Sequence, residues 1–291
     1  MKRKQGLRSK LLGAVLLAAV SLQAAAADDK TADSDDKKAP PVWDFGLGIG
    51  AVSFADYRGA DTTHVYVLPV PYLYYRGNFL KADRNGIRGK LFKQDWIELN
   101  ISANATTPVR RNATRAGMPD LRSTVEIGPS VDLHLWKSTD ERIKFDVRLP
   151  LRGVFTVQAR PHSIGAVFAP TASIDIKDVA GFQGWYFGAL AGPLFADHRY
   201  HNYFYTVAPQ FATPERPAYE ASAGYSGAEF LVALSKRYPS FWVGAYVRHD
   251  TLAGAAFEDS PLVKRDNYWA SGVGMAWIIH QSKRLVDDTE D

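Results

Sequence analysis

The stretch VEIGPSVDLHLW, residues Val125 to Trp136, alternates between two kinds of side chain as far as Leu135. Its odd positions are apolar: Val125, Ile127, Pro129, Val131, Leu133 and Leu135. Its even positions are polar or small: Glu126, Gly128, Ser130, Asp132 and His134. A period of two is typical of a β-strand with two unlike faces. In a soluble sandwich the apolar face points inward, whereas in a membrane barrel it faces lipid and the polar face lines the lumen.

The same period recurs along the chain, in WIELNISANA (96–105), RIKFDVRLPLRGVFTV (142–157) and SGAEFLVALSKR (226–237). Amphipathic helices would show a period near 3.6, and no convincing one follows the N-terminal region. The pattern therefore predicts an all-β chain.

Aromatic residues distinguish the two kinds of all-β fold. In YWASGVGMAWIIHQ (268–281), Trp269 and Trp277 lie on the same face, eight residues apart. That separation spans about 20 Å of the bilayer normal for a strand tilted by about 40°, as expected for aromatic girdles at two membrane interfaces. We therefore predict a transmembrane antiparallel up-and-down β-barrel with Trp269 and Trp277 in its girdles. A soluble sandwich is the less favoured alternative.

The polar faces of the predicted strands carry charges of both signs in mid-strand. Neighbouring strands can pair such charges inside a polar lumen, whereas a soluble sandwich would hold them on its outer surface. The candidate lumen-lining residues are Glu126, Asp132, His134, Lys144, Asp146, Arg148 and Arg152.

Turn lengths predict the number of strands, because bacterial barrels have short periplasmic turns and longer outer loops. Short candidates lie at 76–78, 93–95, 137–141, 180–184 and 236–240, and longer ones near 54–64, 105–121, 158–163, 197–224 and 253–267. For short turns and outer loops to alternate, one more tight outer turn is needed between 76–78 and 93–95. Asn85-Gly86 in DRNGIR is a strong hairpin signal at that place. The prediction is about 12 strands with both termini periplasmic, or about 10 if residues 79–104 form one bent strand.

The N-terminus predicts export from the cytoplasm. A basic stretch, an apolar run and small residues up to Ala27 make residues 1–27 a secretory signal peptide. The apolar run of 12 residues is shorter than the roughly 20 that a spanning helix needs. We expect residues 28–42 to form a flexible polar periplasmic leader, 43–282 the barrel and 283–291 a polar tail.

The basic character of the chain belongs to that signal peptide. The chain has a pI near 9.1 and a net charge of +4, but the signal peptide holds five of the 35 Lys and Arg and no acid. The remaining chain has 30 basic and 31 acidic residues, which argues against a nucleic-acid partner. The absence of cysteine excludes disulfides and thiolate chemistry.

No motif predicts a catalytic, cofactor or metal site. The glycines of GLGIGA (46–51) fall on one face of an alternating strand, which favours a wall facing the lumen over a dinucleotide loop. His198 and His201 of HRYH lack a third ligand at suitable spacing and are expected to be loop histidines. The groups His162-Ser163 and Arg248-His249-Asp250 lie near outer strand ends, but sequence neighbours on a strand point to opposite faces.

Several segments resemble, in order, the MipA/OmpV family of Gram-negative outer-membrane proteins. They include DYRGADTTHVYVLPVPYLYYRG (56–77), VEIGPSVDLHLW, LPLRGVF (149–155), GPLFADHRYHNYFYTV (192–207), RPAYEASAGYSG (216–227), WVGAYVRHDTLAGAAFEDSPLV (242–263) and GVGMAW (272–277). The resemblance implies a barrel in outer-membrane lipid and a scaffold that joins a murein lytic transglycosylase to a bifunctional penicillin-binding protein. It implies no catalytic residues. One departure is that the chain continues past Ile279 instead of ending on an aromatic residue.

The expected function is therefore that of a non-enzymatic scaffold of the cell outer membrane, with the two cell-wall enzymes as its partners by resemblance. Two alternatives stay open: a narrow channel for small solutes, suggested by the charged lumen, and a surface adhesin that uses the loops at 197–224 and 253–267. Side chains largely fill the interior of a barrel of this size, which disfavours an open pore.

Overall fold

The computed structural model describes residues 42–75, 80–83 and 86–282. The predicted signal peptide, residues 28–41 of the predicted leader and the predicted tail lie outside the described residues. The turn expected at 76–78 and Asn85 of the expected hairpin also lie outside them.

Strands make up most of the described chain, as predicted. They are β1 (Trp43–Ala55), β2 (Thr63–Tyr75), β3 (Leu80–Asp83), β4 (Gly86–Lys93), β5 (Ile97–Thr106), β6 (Thr124–Lys137), β7 (Ile143–Thr156), β8 (Ser163–Phe168), β9 (Thr171–Lys177), β10 (Trp185–Ala196), β11 (Gly224–Arg237), β12 (Phe241–Thr251) and β13 (Asn267–Gln281). The connections hold one α-helix, α1 (His198–Tyr205), and short 3-10 turns at Ala113–Arg115, Val179–Gly181 and Pro209–Phe211. Within the described ranges, no helix combines the length and apolar character needed to cross a membrane.

Antiparallel pairing links neighbouring strands and returns from β13 to β1. Both β8 and β9 pair with β7 and β10, and only Ala169 and Pro170 separate them, so they share one strand position. The 13 described strands thus fill 12 positions, the larger of the two predicted numbers. The narrowest described link is between β2 and β3, where one pair, Tyr75 and Ala82, is in register.

The two ends of the barrel differ in the length of their connections. At the short-turn end, β4–β5, β6–β7, β9–β10 and β11–β12 are joined by three to seven residues, and Asp44 of β1 pairs with Gln281 of β13. At the long-loop end lie the connections 56–62, 107–123, 157–162, 197–223 and 252–266. Strands β3 and β4 form the expected hairpin, but with Asp83 opposite Gly86, so Gly86 begins β4 and is not one of the two turn residues that Asn85-Gly86 was predicted to supply. The alternative of one bent strand over 79–104 is therefore wrong.

Burial along β6 shows which face of Val125–Trp136 points inward. Glu126, Ser130 and Asp132 are buried, whereas Ile127 and Leu135 expose about half of their surface, 49% and 54%. Exposed apolar residues follow the same outward rows on β1, β2, β7 and β13. This burial is the inverse of that in a soluble sandwich, so the apolar face is the one that meets lipid.

Trp269 and Trp277 both project from the outward face of β13, with exposed fractions of 65% and 51%. Trp269 lies two residues inside the strand at the long-loop end, and Trp277 is paired with Phe241, the first residue of β12 at the short-turn end. The two side chains thus stand near opposite ends of the barrel wall. Their membership of the two girdles stays a prediction.

The glycines of GLGIGA lie in β1, where Gly46 and Gly50 are buried and the intervening Leu47 and Ile49 face outward. A Cβ atom on Gly48 would lie 1.9 Å from the carbonyl oxygen of Met275 on β13. Only glycine permits this approach of the two backbones. The structure places the motif in the barrel wall, where the sequence pattern put it.

Candidate functional site

The lumen carries a buried ion pair where β6 and β7 approach the long-loop end. Arg152 Nε donates to Glu126 Oε2 over 2.9 Å, and Arg152 Nη1 donates to Ser102 Oγ over 3.3 Å. Asn104 Nδ2 donates to the same carboxylate oxygen over 3.4 Å. The side chains of Glu126 and Arg152 are largely excluded from water. Protein partners therefore replace the water that each charge would otherwise require.

A second opposite-charge pair and a histidine–carboxylate contact lie between the same strands. Asp132 and Arg148 are directly opposite in register, with Oδ2 and Nε 3.4 Å apart, and Ser130 Oγ donates to Asp132 Oδ1 over 2.8 Å. Nearer the short-turn end, His134 Nδ1 and Asp146 Oδ1 are 2.9 Å apart and partly exposed.

The seven predicted lumen residues therefore come together to a large extent. Four of them form two opposite-charge pairs, His134 lies within hydrogen-bond distance of Asp146, and Lys144 is half-buried opposite Asp175 of β9. The sequence indicated that both signs share one face, and strand register decides which residues meet.

A second charged cluster at the long-loop end is one that sequence reasoning missed. Asp250 accepts from Arg248 Nε over 2.7 Å, and its other carboxylate oxygen lies 3.3 Å from Arg58 Nε. Arg58 also donates to the hydroxyl of Tyr268 over 3.2 Å. Arg58 belongs to the connection between β1 and β2, so no local pattern links it to β12.

The structure does not assemble the catalytic groups that the sequence raised as weak candidates. The ring of His249 packs against Trp269 at a centroid distance of 4.6 Å, on the outward face, while Asp250 is buried inside. His162 is exposed, and it and Ser163 hydrogen-bond to neighbouring segments through backbone groups.

The two histidines of HRYH lie in the helix α1 and not in the irregular loop that was expected. The search for a helical period missed α1 because it is only eight residues long. Asp197 caps the helix, with Oδ1 accepting from the backbone N–H of Tyr200 over 2.9 Å. His198 is exposed and lies 3.4 Å from Glu220, whereas His201 is fully buried.

His201 is held by two hydrogen bonds inside the fold. Its Nδ1 meets the carbonyl oxygen of Ser222, which only accepts, so Nδ1 carries the proton and Nε2 accepts from the Ser226 hydroxyl over 2.6 Å. Burial lowers the pKa of His201, which favours this neutral state. A serine that donates to an imidazole resembles a nucleophile–base pair, but both side chains are buried and Ser226 secures α1 to β11.

Loops of the long-loop end fold together over and into the mouth of the barrel. The ring of Tyr205 stacks on Phe257 at 3.6 Å, and the carbonyl oxygen of Tyr205 accepts from Ser260 Oγ over 2.6 Å. Tyr57 donates its hydroxyl to the carbonyl oxygen of Leu262 over 2.8 Å. Burial raises the pKa of Tyr205 well above its usual value, so its hydroxyl stays neutral. We call the loops 56–62, 107–123, 197–223 and 252–266 the mouth plug.

The mouth plug packs against side chains that project inward from the strands. Its buried core is continuous with Val154, Ile164, Val167 and Tyr268 of β7, β8 and β13. A second buried apolar cluster lies on β1, β2, β11, β12 and β13: Val52, Leu68, Val70, Tyr72, Ala233, Trp242, Tyr246 and Ala276. The same strands also carry buried charges, such as Asp44 and Arg237, which lie 3.2 Å apart. The interior therefore mixes apolar and charged side chains, whereas the sequence predicted only a polar lumen.

The short-turn end presents aromatic side chains of its own. Trp96, next to β5, and Phe182, between β9 and β10, are exposed by 59% and 66%. Between them lies the exposed ion pair of Lys137 and Glu141, with Nζ and Oε1 2.6 Å apart.

Comparison with known proteins identifies relatives over most of the barrel. The family model described as MltA-interacting protein MipA matches residues 47–279. Outer membrane protein OmpV of Vibrio cholerae serotype O1 is 24% identical over 212 residues, which cover 70% of this chain and 75% of that protein. Outer membrane protein Omp26La of Vibrio anguillarum matches with the same identity and coverage. The chain is an outer-membrane protein.

Solved structures of outer-membrane proteins give more distant matches. LpxR from Salmonella typhimurium has a TM-score of 0.41 at 10% identity, over 80% of this chain and 100% of that chain. An outer membrane channel from Pseudomonas putida F1 has a TM-score of 0.40 at 11% identity, over 86% of this chain and 100% of that chain. At such scores, nothing about activity follows.

Proposed function

Because the chain belongs to the family of the MltA-interacting protein MipA, we propose that it is a non-enzymatic scaffold of the outer membrane. In this proposal it holds a murein lytic transglycosylase together with a bifunctional penicillin-binding protein and so couples hydrolysis and synthesis of peptidoglycan. The partner class rests on the family resemblance, because a barrel fold by itself does not determine a function.

The buried side chains of the interior are the observation that favours the scaffold over a channel. Buried ion pairs such as Glu126–Arg152 and the apolar cluster around Trp242 both lie in the interior. At the mouth, the loops of the mouth plug pack against one another and against inward side chains of the strands. A barrel with an interior filled in this way is a rigid membrane-anchored body, and it leaves its two ends as the surfaces for function.

The short-turn end supplies the surface that periplasmic partners would contact. Barrels place their short turns in the periplasm. Trp96 and Phe182 are exposed there, and large aromatic residues are enriched among the anchors of protein interfaces. Trp43, the first residue of β1, lies at the same end.

Affinity capture tests this proposal. The tagged barrel is recovered from envelopes solubilised in mild detergent, beside an unrelated barrel of similar size. We expect a lytic transglycosylase and a penicillin-binding protein to be enriched with the wild-type chain and lost with the double variant Trp96→Ser/Phe182→Ser. Trp269→Ser is the matched control, since it removes an equally exposed aromatic residue at the long-loop end.

Two results would contradict the scaffold. One is recovery of neither enzyme with the wild-type chain. The other is steady conductance in a planar bilayer, which would require an open path through the interior and would make the channel the leading function.

A further inference from the structure

A groove of about 670 Å³ opens on the outer side of the barrel at the long-loop end. Its walls are the β5–β6 loop at 107–123 and the start of the β7–β8 loop at 157–159. A volume of this size suits a small ligand or part of a larger one.

The floor of the groove continues the row of residues that faces lipid. Ala105 and Val125 are cross-strand partners, and Val125 is also the partner of the exposed Phe155. Val157 is exposed by 54%, and its backbone N–H donates to the carbonyl oxygen of Ser123 over 2.8 Å. An acyl chain that lies against the barrel wall can therefore extend into the groove without leaving an apolar surface.

The rim of the groove is basic. Arg110 and Arg122 line it, together with one acid, Asp120, and the exposed Arg160 follows directly after the lining segment. Among the described residues, Arg122 and Arg160 make no salt bridge. The Asp120 carboxylate accepts from the backbone N–H of Arg111 over 3.4 Å.

Charge is divided unevenly among the long loops. Loop 107–123 has four arginines and one acid, and 157–162 adds one arginine and no acid. The loops 56–62, 197–223 and 252–266 each contain one more acid than base. The positive charge is therefore concentrated on the side of the barrel that holds the groove.

We infer that the groove binds a phosphate-bearing lipid of the surrounding leaflet, with an acyl chain on Val125 and Val157 and the phosphate on Arg110 and Arg122. Guanidinium groups form charge-assisted, often bidentate hydrogen bonds with phosphate oxygens. Basic pockets at the level of lipid headgroups are typical sites for anionic lipids. This inference concerns the end opposite the proposed scaffold surface and does not depend on it.

Native mass spectrometry of the full barrel in mild detergent tests the inference. The probes are diphosphorylated lipid A and the same lipid with its phosphates removed. We expect the phosphorylated lipid to be retained at least about tenfold more strongly, and Arg110→Gln/Arg122→Gln to abolish most of that difference. Lys264→Gln/Arg265→Gln is the matched control, because it removes two exposed positive charges at the same end of the barrel.

Each remaining outcome overturns the inference. Equal retention of both lipids would show that phosphate is not recognised. An equal loss in both double variants would reduce the effect to general electrostatics. Displacement of the lipid by inorganic phosphate alone would assign the rim to a free anion. Should the arginine variant fail to fold, Val157→Gln tests the apolar floor and is expected to weaken retention of the phosphorylated lipid severalfold.

Discussion

Removing one partner of the buried Glu126–Arg152 pair should destabilise the barrel far more than removing one partner of an exposed pair with similar geometry. The two atoms are 2.9 Å apart with both side chains largely buried, whereas Lys137 and Glu141 are 2.6 Å apart with both exposed. At 2.9 Å, Coulomb's law gives about 6 kcal/mol for an effective dielectric constant of about 20 and about 1.4 kcal/mol in water. The difference in coupling energy between the two pairs therefore measures how well water in the lumen screens the buried pair.

We expect Glu126→Gln or Arg152→Met to lower the free energy of unfolding by about 3–5 kcal/mol, because each leaves a buried charge without its partner. The coupling energy from the double-mutant cycle should exceed about 1.5 kcal/mol. Glu141→Gln and Lys137→Met should show a coupling of about 0.2–1 kcal/mol. The measurement is guanidinium unfolding of the barrel in lipid vesicles, followed by tryptophan fluorescence.

Coupling energies below about 1 kcal/mol in both cycles would refute this reasoning, because a screened pair at 2.9 Å implies water around it. That result would mean that water surrounds the Glu126–Arg152 pair in the lumen. The observation that supports the scaffold over the channel would be lost with it.

Three further predictions concern the wall, the membrane position and the mouth plug. Gly48→Val should destabilise the barrel by more than about 1–3 kcal/mol, since its Cβ would overlap the Met275 carbonyl; unchanged unfolding would contradict that approach of β1 and β13. Val273→Arg should lower the free energy of unfolding in lipid by about 2–4 kcal/mol and Trp277→Arg by about 0–1 kcal/mol, because the cost of an outward charge depends on its depth in the bilayer. Equal losses would contradict the position of β13 in the membrane. Burial lowers the pKa of His201 below its usual 6.5, so the unfolded loop binds the proton first and the mouth plug loses stability as pH falls through that value. Protease cleavage within 197–223 should therefore rise between pH 7.5 and 5.5 in the wild type, and a pH-independent rate would contradict this role of His201.

Much of the architecture follows from local patterns in the sequence. The alternation in Val125–Trp136 separates Glu126 and Asp132 from Ile127 and Leu135, and the structure buries the first two and exposes the others. This works because successive side chains on a strand point to opposite sides, so a face can be read without knowing its neighbours. The hairpin at Gly86 and the number of strand positions follow for the same reason, since turn residues act locally.

Contacts between distant segments could not be derived in this way. Glu126 is directly opposite Val154 in register but pairs diagonally with Arg152, which depends on the alignment of β6 with β7. The eight residues of α1 are too few to show a helical period, and the helix is stabilised by its cap and by packing.

By itself the sequence determined the class of the fold, the inward and outward faces of its strands, and the approximate number of strands. Only the tertiary structure decided what the faces do. Tyr57 reaches Leu262 and Arg58 reaches Asp250 across about two-thirds of the chain, and these contacts build the mouth plug. The arginine-rimmed groove likewise arises where two loops meet. Such sites depend on loop closure and strand register, which are set by the packing of the whole barrel and leave no periodic signal in any one segment.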